Sequence, residues 1–115
     1  MNLLTTLSNN SLIQAKKEFA LSCERLFYYA SMADKFESVV HNPPIRGLTM
    51  ALKEPLGVMA VILPDSNPLL NLITVMASSF ATGNAQILVP GQKTSLIATE
   101  LYQVLDTSDL SLIHI

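Results

Sequence analysis

The stretch that decides the fold runs from Glu54 to Gln92 and reads EPLGVMAVILPDSNPLLNLITVMASSFATGNAQILVPGQ. Gly57 to Leu63 is a continuous apolar run rich in Val and Ile, which is typical of a strand buried on both faces. Pro64 ends that run. Ala85 to Val89 is a second short apolar run, closed by Pro90. The stretch therefore predicts two buried strands separated by a longer segment.

That longer segment has the start and stop signals of a helix. Asn is a favoured N-cap residue and Pro suits the first helical position, so the helix is expected to begin at Asn67 and Pro68. It is expected to run to Thr82 and to end at Gly83, because glycine is the usual residue after the C-terminus of a helix. A last helix is expected to be capped by Thr94 or Ser95, and to run to about residue 105.

The order from Gly57 onward is then strand, helix, strand, helix. Strands that alternate with helices of this length favour an α/β fold with a parallel sheet and right-handed crossovers. Ligands of such sheets bind at the carboxyl ends of the strands. Here those ends are residues 64–67 and 90–92, which are therefore the candidate binding site.

A long helix is predicted before this unit, from Ser11 to about Val40. Proline cannot continue a helix, so residues 42–44, which read Asn-Pro-Pro, stop it. Leu48 to Lys53 is expected to be a short strand. The apolar face of the long helix is predicted from residues that recur at steps of four and three, namely Phe19, Cys23, Leu26, Ala30 and Ala33.

Composition narrows the possible functions. The chain has 115 residues, 50% hydrophobic and 14% charged, which is apolar for a small independent domain and fits a piece of a larger one. The net charge of −2 and the scattered Lys and Arg argue against a nucleic-acid partner. The apolar tracts are shorter than the ~20 residues of a membrane span, so no membrane partner is expected.

Redox and metal chemistry are also limited by the sequence. Cys23 is the one cysteine, which excludes an internal disulfide and a cysteine-based zinc site. We expect a reducing, cytoplasmic setting, since residues 1–10 lack the features of a signal peptide. No second ligand is spaced to form a metal site with His41, so no metal is expected.

The segment from Glu54 to Leu70 resembles the signature of the aldehyde dehydrogenase family, in which a Glu-Pro-x-Gly-Val strand leads into a proline-bounded loop and a helix. Gly83 to Gln92 is similar to the next strand of the family and its adenosine-binding turn. Tyr28-Tyr29-Ala30 resembles part of the preceding helix. The resemblance covers roughly residues 23–109, and it has no gap between residues 54 and 92.

The resemblance implies the start of a Rossmann-like parallel sheet preceded by a long helix, an incomplete domain of the aldehyde dehydrogenase fold. Residues 1–45 are expected to be an N-terminal helical segment, and residues 46–109 the first part of the nucleotide-binding domain. Residues 110–115 form a separate tail, for which our hypothesis is translated read-through of a sequencing adapter. The family oxidises aldehydes to acids with NAD or NADP. Its nucleophilic cysteine and general-base glutamate lie downstream, and Cys23 is instead expected to be a buried helix-face residue.

The family pattern is altered at the implied site. Ser66 stands where the family has an Asn that donates a hydrogen bond to the oxyanion, and losing such a donor costs about 2.7–4 kcal/mol. Asn67 lies one place late, and helix capping is its expected role. Asp65 replaces a Trp, and it adds a negative charge near the place of an anionic cofactor. No catalytic residue is therefore expected to be intact.

The ribose-binding turn is altered as well. Val89 replaces a Lys and has no donor, while Gln92 replaces a Glu and lacks the strength of a charge-assisted hydrogen bond. Binding of NAD or NADP is therefore expected to be weak or lost. The degenerate cofactor-binding positions implied by the resemblance are Leu63, Pro64, Asp65, Ser66, Val89, Gly91 and Gln92.

Three hypotheses follow. In the first, the chain is similar to the inactive second module of the tandem branch of the family, its sixteenth class. It is then a non-catalytic pseudoenzyme module with an assembly role, whose partners are the rest of its longer chain and further copies in a homo-oligomer. In the second, it is the N-terminal piece of an active NAD(P)-dependent aldehyde dehydrogenase. In the third, it is a free-standing small α/β binding domain.

Overall fold

The computed structural model describes residue 5 and residues 11–92 and 94–108, so the tail predicted at 110–115 and His114 lie outside the described residues. The elements, in chain order, are α1 (Leu12–Ala33), β1 (Val39–His41), β2 (Thr49–Ala51), β3 (Val58–Ile62), α2 (Pro68–Ala81), β4 (Ala85–Val89) and α3 (Ser95–Asp106). The predicted α/β class and the order strand, helix, strand, helix are confirmed.

Helix α1 begins as the sequence predicts but ends earlier. Ser11 and Gln14 form a capping box, in which the Gln14 N–H donates to Ser11 Oγ at 3.3 Å. The helix ends at Ala33, so the predicted continuation to Val40 is wrong. Residues 39–41 instead form β1, which pairs antiparallel with β2. The two β-branched valines favour a strand, and the nearby prolines favour extended backbone.

The buried face of α1 also differs from the prediction. Its buried residues are Ala15, Glu18 and Ser22, whereas the Phe19 side chain is 47% exposed. The apolar pattern was misleading because the helix packs on α2 through small and polar side chains, which allow close approach. Cys23 lies at the edge of this contact and is half-buried rather than buried.

Strands β3 and β4 form a parallel pair, in register from Val58 opposite Ala85 to Ile62 opposite Val89. The hydrogen-bond ladder continues one step further, since the Leu63 N–H donates to the Val89 carbonyl at 3.0 Å. Helix α2 connects the two strands. The predicted strand–helix–strand unit is therefore present, and both strands end at the same edge of the sheet.

The two faces of this sheet differ in burial. One face carries Val61 and Leu88, which pack against the core formed by Ala15, Leu63, Leu72 and Ile97. The opposite face is open in the described part of the chain, and Ile62 is 82% exposed there. The predicted burial of the strand on both faces is therefore wrong. The described helices cover one side of the sheet, so alternate side chains of each strand remain uncovered.

The turn at the start of β4 holds the Glu-Pro-Leu-Gly segment before β3. Gly83 has φ +73°, which favours glycine, and it follows the C-cap of α2 as predicted. The Asn84 Oδ1 accepts hydrogen bonds from the N–H groups of Leu56 and Gly57, at 2.6 and 3.2 Å. Its Nδ2 donates to Thr82 Oγ1 at 2.7 Å. Asn84 thereby fixes the amino ends of both strands.

Candidate functional site

The candidate site lies at the carboxyl edge of the β3–β4 sheet, as the sequence predicts. Leu63 is 4% exposed and anchors the first loop, which continues through Pro64 to Asn67. The second loop follows Val89. Because the strands are parallel and in register, the two loops leave the sheet side by side. The structure therefore brings the predicted residues of both loops together.

Asp65 and Gly91 form the closest approach between the two loops. A Cβ atom at position 91 would clash with Asp65 Oδ1 and would lie 2.9 Å from its Cγ. The Asp65 carboxylate therefore occupies the space that a side chain at position 91 would need. A carboxylate therefore lies between the two strand ends. The side chain is exposed, so solvent and salt weaken its field.

Ser66 is exposed in the first loop, and its carbonyl accepts a hydrogen bond from Asn71 Nδ2. Asn67 lies at the N-cap position of α2, as predicted, with Pro68 as the first helical residue. Its side chain makes no capping hydrogen bond, however, so the predicted capping role of this side chain is wrong. Capping residues normally have extended backbone, whereas Asn67 is left-handed, with φ 43° and ψ 62°.

Glu18 of α1 caps helix α2 instead. Its side chain is 4% exposed, and Oε1 accepts hydrogen bonds from the N–H groups of Leu69 and Leu70, at 2.8 and 3.2 Å. A carboxylate at this end also interacts favourably with the helix dipole. Sequence reasoning missed this residue because it traced the helix face through apolar side chains. Both α2 amides are consequently occupied by a side chain of the same protein.

The second loop leads directly into α3. The Gly91 carbonyl accepts hydrogen bonds from the N–H groups of Thr94 and Ser95, at 3.0 and 3.1 Å. Thr94 is the N-cap residue, but its hydroxyl is buried without a partner among the described residues, so its predicted side-chain cap is wrong. Its backbone is helical rather than extended. Ser95 lies inside the helix, and its hydroxyl donates to the Gln92 carbonyl at 3.0 Å.

The two predicted binding side chains that flank this turn, those of Val89 and Gln92, carry no charge. Val89 is 48% exposed and presents an apolar side chain, while Gln92 is exposed and uncharged. Cys23 lies on α1 and His41 on the exposed strand β1, and neither belongs to the two loops. The described residues contain no group of three or more His, Cys, Asp or Glu side chains that could hold a metal ion. The described edge can therefore offer hydrogen bonds but carries neither a thiol nor an imidazole.

A groove of about 410 Å³ lies between α2, β4 and α3. Its walls are mainly apolar and include Leu72, Met76, Leu88 and Leu101. Pro90 is the one residue of the candidate site that lines it, and none of the seven predicted cofactor-binding positions does. None of the described helices is both long enough and apolar enough to cross a membrane.

The chain matches known proteins over most of its length. The family model described as "Aldehyde dehydrogenase family" matches residues 1–111. The chain is 34% identical over 93 residues to the human mitochondrial 10-formyltetrahydrofolate dehydrogenase, and 31% identical over 93 residues to the human cytosolic one. Each match covers 77% of this chain and 10% of the relative.

An aldehyde dehydrogenase of Agaricus bisporus is 34% identical over 84 residues, which cover 73% of this chain and 17% of that protein. The chain thus spans about a tenth of the length of the first two relatives. The matched region includes the Glu-Pro-x-Gly-Val strand and both loops of the candidate site. The chain belongs to the aldehyde dehydrogenase family.

Proposed function

We propose that this chain is part of a non-catalytic aldehyde dehydrogenase-like module, which serves the structure or assembly of a longer protein. The observation that carries the proposal is the Asp65 carboxylate, which lies against Gly91 between the two strand ends. The family cofactors NAD and NADP carry negative phosphates. A fixed carboxylate at this edge repels them, so we infer that cofactor binding is weak or lost.

The repulsion between Asp65 and the phosphates is too small to prevent cofactor binding by itself. Two unit charges about 4 Å apart interact by about 1 kcal/mol in water and about 4 kcal/mol near a protein surface. The exposure of Asp65 favours the lower value. Val89 and Gln92 remove ribose contacts in addition, and Ser66 stands at the place of the oxyanion donor. The combined losses support a module without chemistry.

The scaffold around the site supports the same proposal. Glu18 fixes the start of α2, and Asn84 fixes the amino ends of both strands. The residues that shape the backbone are therefore present, while the side chains that would contact substrate and cofactor are altered. This combination is expected of a module that is kept for its shape.

The proposed architecture is based on the small part of the first two relatives, about a tenth of their length, that this chain matches. We place residues 46–109 at the start of a nucleotide-binding domain and residues 1–45 before it. The partners proposed are the remainder of a longer chain and, by family, further copies in a homo-oligomer. A cytoplasmic location is part of the proposal, although the relatives include both cytosolic and mitochondrial proteins.

Calorimetric titration of NAD and NADP into the full-length protein tests the proposal. Enzymes typically have KM values of about 1 μM to 1 mM, so we expect no saturable binding of either dinucleotide up to about 1 mM. A variant that carries Asp65→Trp, Ser66→Asn, Val89→Lys and Gln92→Glu is expected to gain binding. Gln103→Lys, on the exposed surface of α3, is a matched control, because the quadruple variant also raises the net charge by one.

The alternative is an active NAD(P)-dependent aldehyde dehydrogenase, which the names of the relatives favour. Saturable dinucleotide binding together with aldehyde-dependent NADH or NADPH formation by the unmodified full-length protein would establish it and overturn the first proposal. A 115-residue chain that folds alone as a monomer would instead support a free-standing α/β binding domain.

A further inference from the structure

Glu18 is the one buried charged residue among the described residues. It lies on the face of α1 that packs against α2, between Ala15 and Ser22. Burial of a carboxylate is unfavourable unless hydrogen bonds compensate for the lost water. Glu18 therefore needs hydrogen-bond donors at this place in the helix contact, whereas an apolar side chain would need none.

That partner is the first turn of α2. Pro68 has no N–H, so Leu69 and Leu70 carry the first free amides of the helix, and both donate to Glu18 Oε1. Hydrogen bonds to an ionised acceptor are stronger than those between neutral groups. Glu18 Oε2 is buried without a partner among the described residues, so the interaction is concentrated on one oxygen.

The same turn of α2 holds the first loop of the candidate site. Asn67 immediately precedes the helix and has a left-handed backbone. The Asn71 side chain, one turn further, donates to the carbonyl of Ser66. The loop is therefore tied to α2 at both its chain connection and a side-chain contact, and α2 is tied to α1 by Glu18.

We propose that Glu18 is a positioning residue for the candidate site. By holding the first turn of α2, it sets the path of residues 64–67 and places the Asp65 carboxylate against Gly91. This role does not rest on the proposed function, because the contact between Asp65 and Gly91 can be measured without a dinucleotide.

Hydrogen exchange of the full-length protein, followed by mass spectrometry over residues 64–71, tests the proposal. Glu18→Ala is expected to accelerate exchange of the Leu69 and Leu70 amides about tenfold or more. Glu18→Gln keeps an acceptor oxygen and should restore most of the protection. If Glu18→Ala does not fold, Glu18→Asp replaces it, since its shorter side chain should release these amides.

Two controls separate positioning from general loosening of the helix pair. Glu24→Ala changes an exposed carboxylate on the same helix and should leave the exchange unchanged. Ala15→Gly weakens the buried contact with α2 without touching the cap, and should not accelerate residues 64–71 selectively. An equal, selective acceleration in Ala15→Gly would overturn the proposal, as would a Glu18→Gln variant as labile as Glu18→Ala.

A second readout reports on the loop itself. The coupling free energy between Asp65→Ala and Gly91→Ala, from unfolding of the single and double variants, measures the contact between the two loops. We expect this coupling to disappear in a Glu18→Ala or Glu18→Asp background and to persist with Glu24→Ala. Coupling that is unchanged in the Glu18 variants would show that the loop takes its path without Glu18.

Discussion

At the residue scale, the site depends on what is absent at position 91. Glycine there leaves room for the Asp65 carboxylate between the two strand ends. Any larger side chain at position 91 would compete with Asp65 for the same space. The residues at positions 65 and 91 are therefore physically linked, although they are distant in the sequence.

Replacement of Gly91 tests this link. Gly91→Ala should displace the Asp65 side chain and should be about 1 kcal/mol less favourable for stability than Gly47→Ala. Gly47 is the control because a Cβ atom there meets nothing within 4 Å. Urea unfolding measures both variants. In an Asp65→Ala background, the two glycine variants should have the same free energy of unfolding. A difference that remains there would contradict the contact between Asp65 and Gly91.

Asn84 allows a second residue-scale prediction. Asn84→Ala removes the acceptor for the Leu56 and Gly57 amides, so a loss of about 1–3 kcal/mol in the free energy of unfolding is expected. Asn42→Ala, in an exposed loop, should change stability by less than about 0.5 kcal/mol. Equal effects of the two substitutions in chemical denaturation would show that the bridge between the strand starts contributes little.

At the element scale, local signals placed the strands and helices well. Proline and glycine punctuate residues 54–92, and their backbone preferences act without any partner, so β3, α2 and β4 could be predicted. The end of α1 could not, because β1 forms through pairing with residues 49–51. The buried face of α1 could not be predicted from the sequence either, since the cap that Glu18 provides depends on a helix 51 residues away.

The true face of α1 can be checked by adding volume to it. Ala15→Leu inserts a large side chain into a fully buried position, so it should destabilise the protein by about 1–3 kcal/mol. Ala20→Leu, on an exposed side of the same helix, should be nearly neutral. Thermal unfolding distinguishes them. Equal costs at both positions would mean that α1 does not pack on α2 through Ala15.

At the scale of the whole molecule, the open face of the β3–β4 sheet dominates. Val58, Ile62, Ile87 and Val89 expose apolar side chains there, and exposed apolar faces promote association. The family and the parallel sheet could be predicted from the sequence, because the family signature in residues 54–92 has no gap. The exposure of this face could not be predicted, since the strand has the same apolar sequence whether or not other elements cover it.

Association of the 115-residue chain should therefore depend on this face. Sedimentation velocity is expected to show self-association that increases with concentration, and Ile62→Lys should reduce it. Leu56→Lys adds the same charge at an exposed apolar residue outside the strand, and should have a smaller effect. Equal effects of the two lysines would indicate that net charge, rather than the sheet face, controls association.

The Glu18 cap also has a consequence for the order of folding. The amides of Leu69 and Leu70 receive their acceptor from a residue 51 and 52 positions earlier, so the start of α2 cannot be completed by local contacts. Closing such a long loop carries an entropic cost, which is smaller once the intervening β1–β2 hairpin has formed. The sheet edge that carries Asp65 is therefore expected to become ordered late, after the hairpin and after the docking of α1.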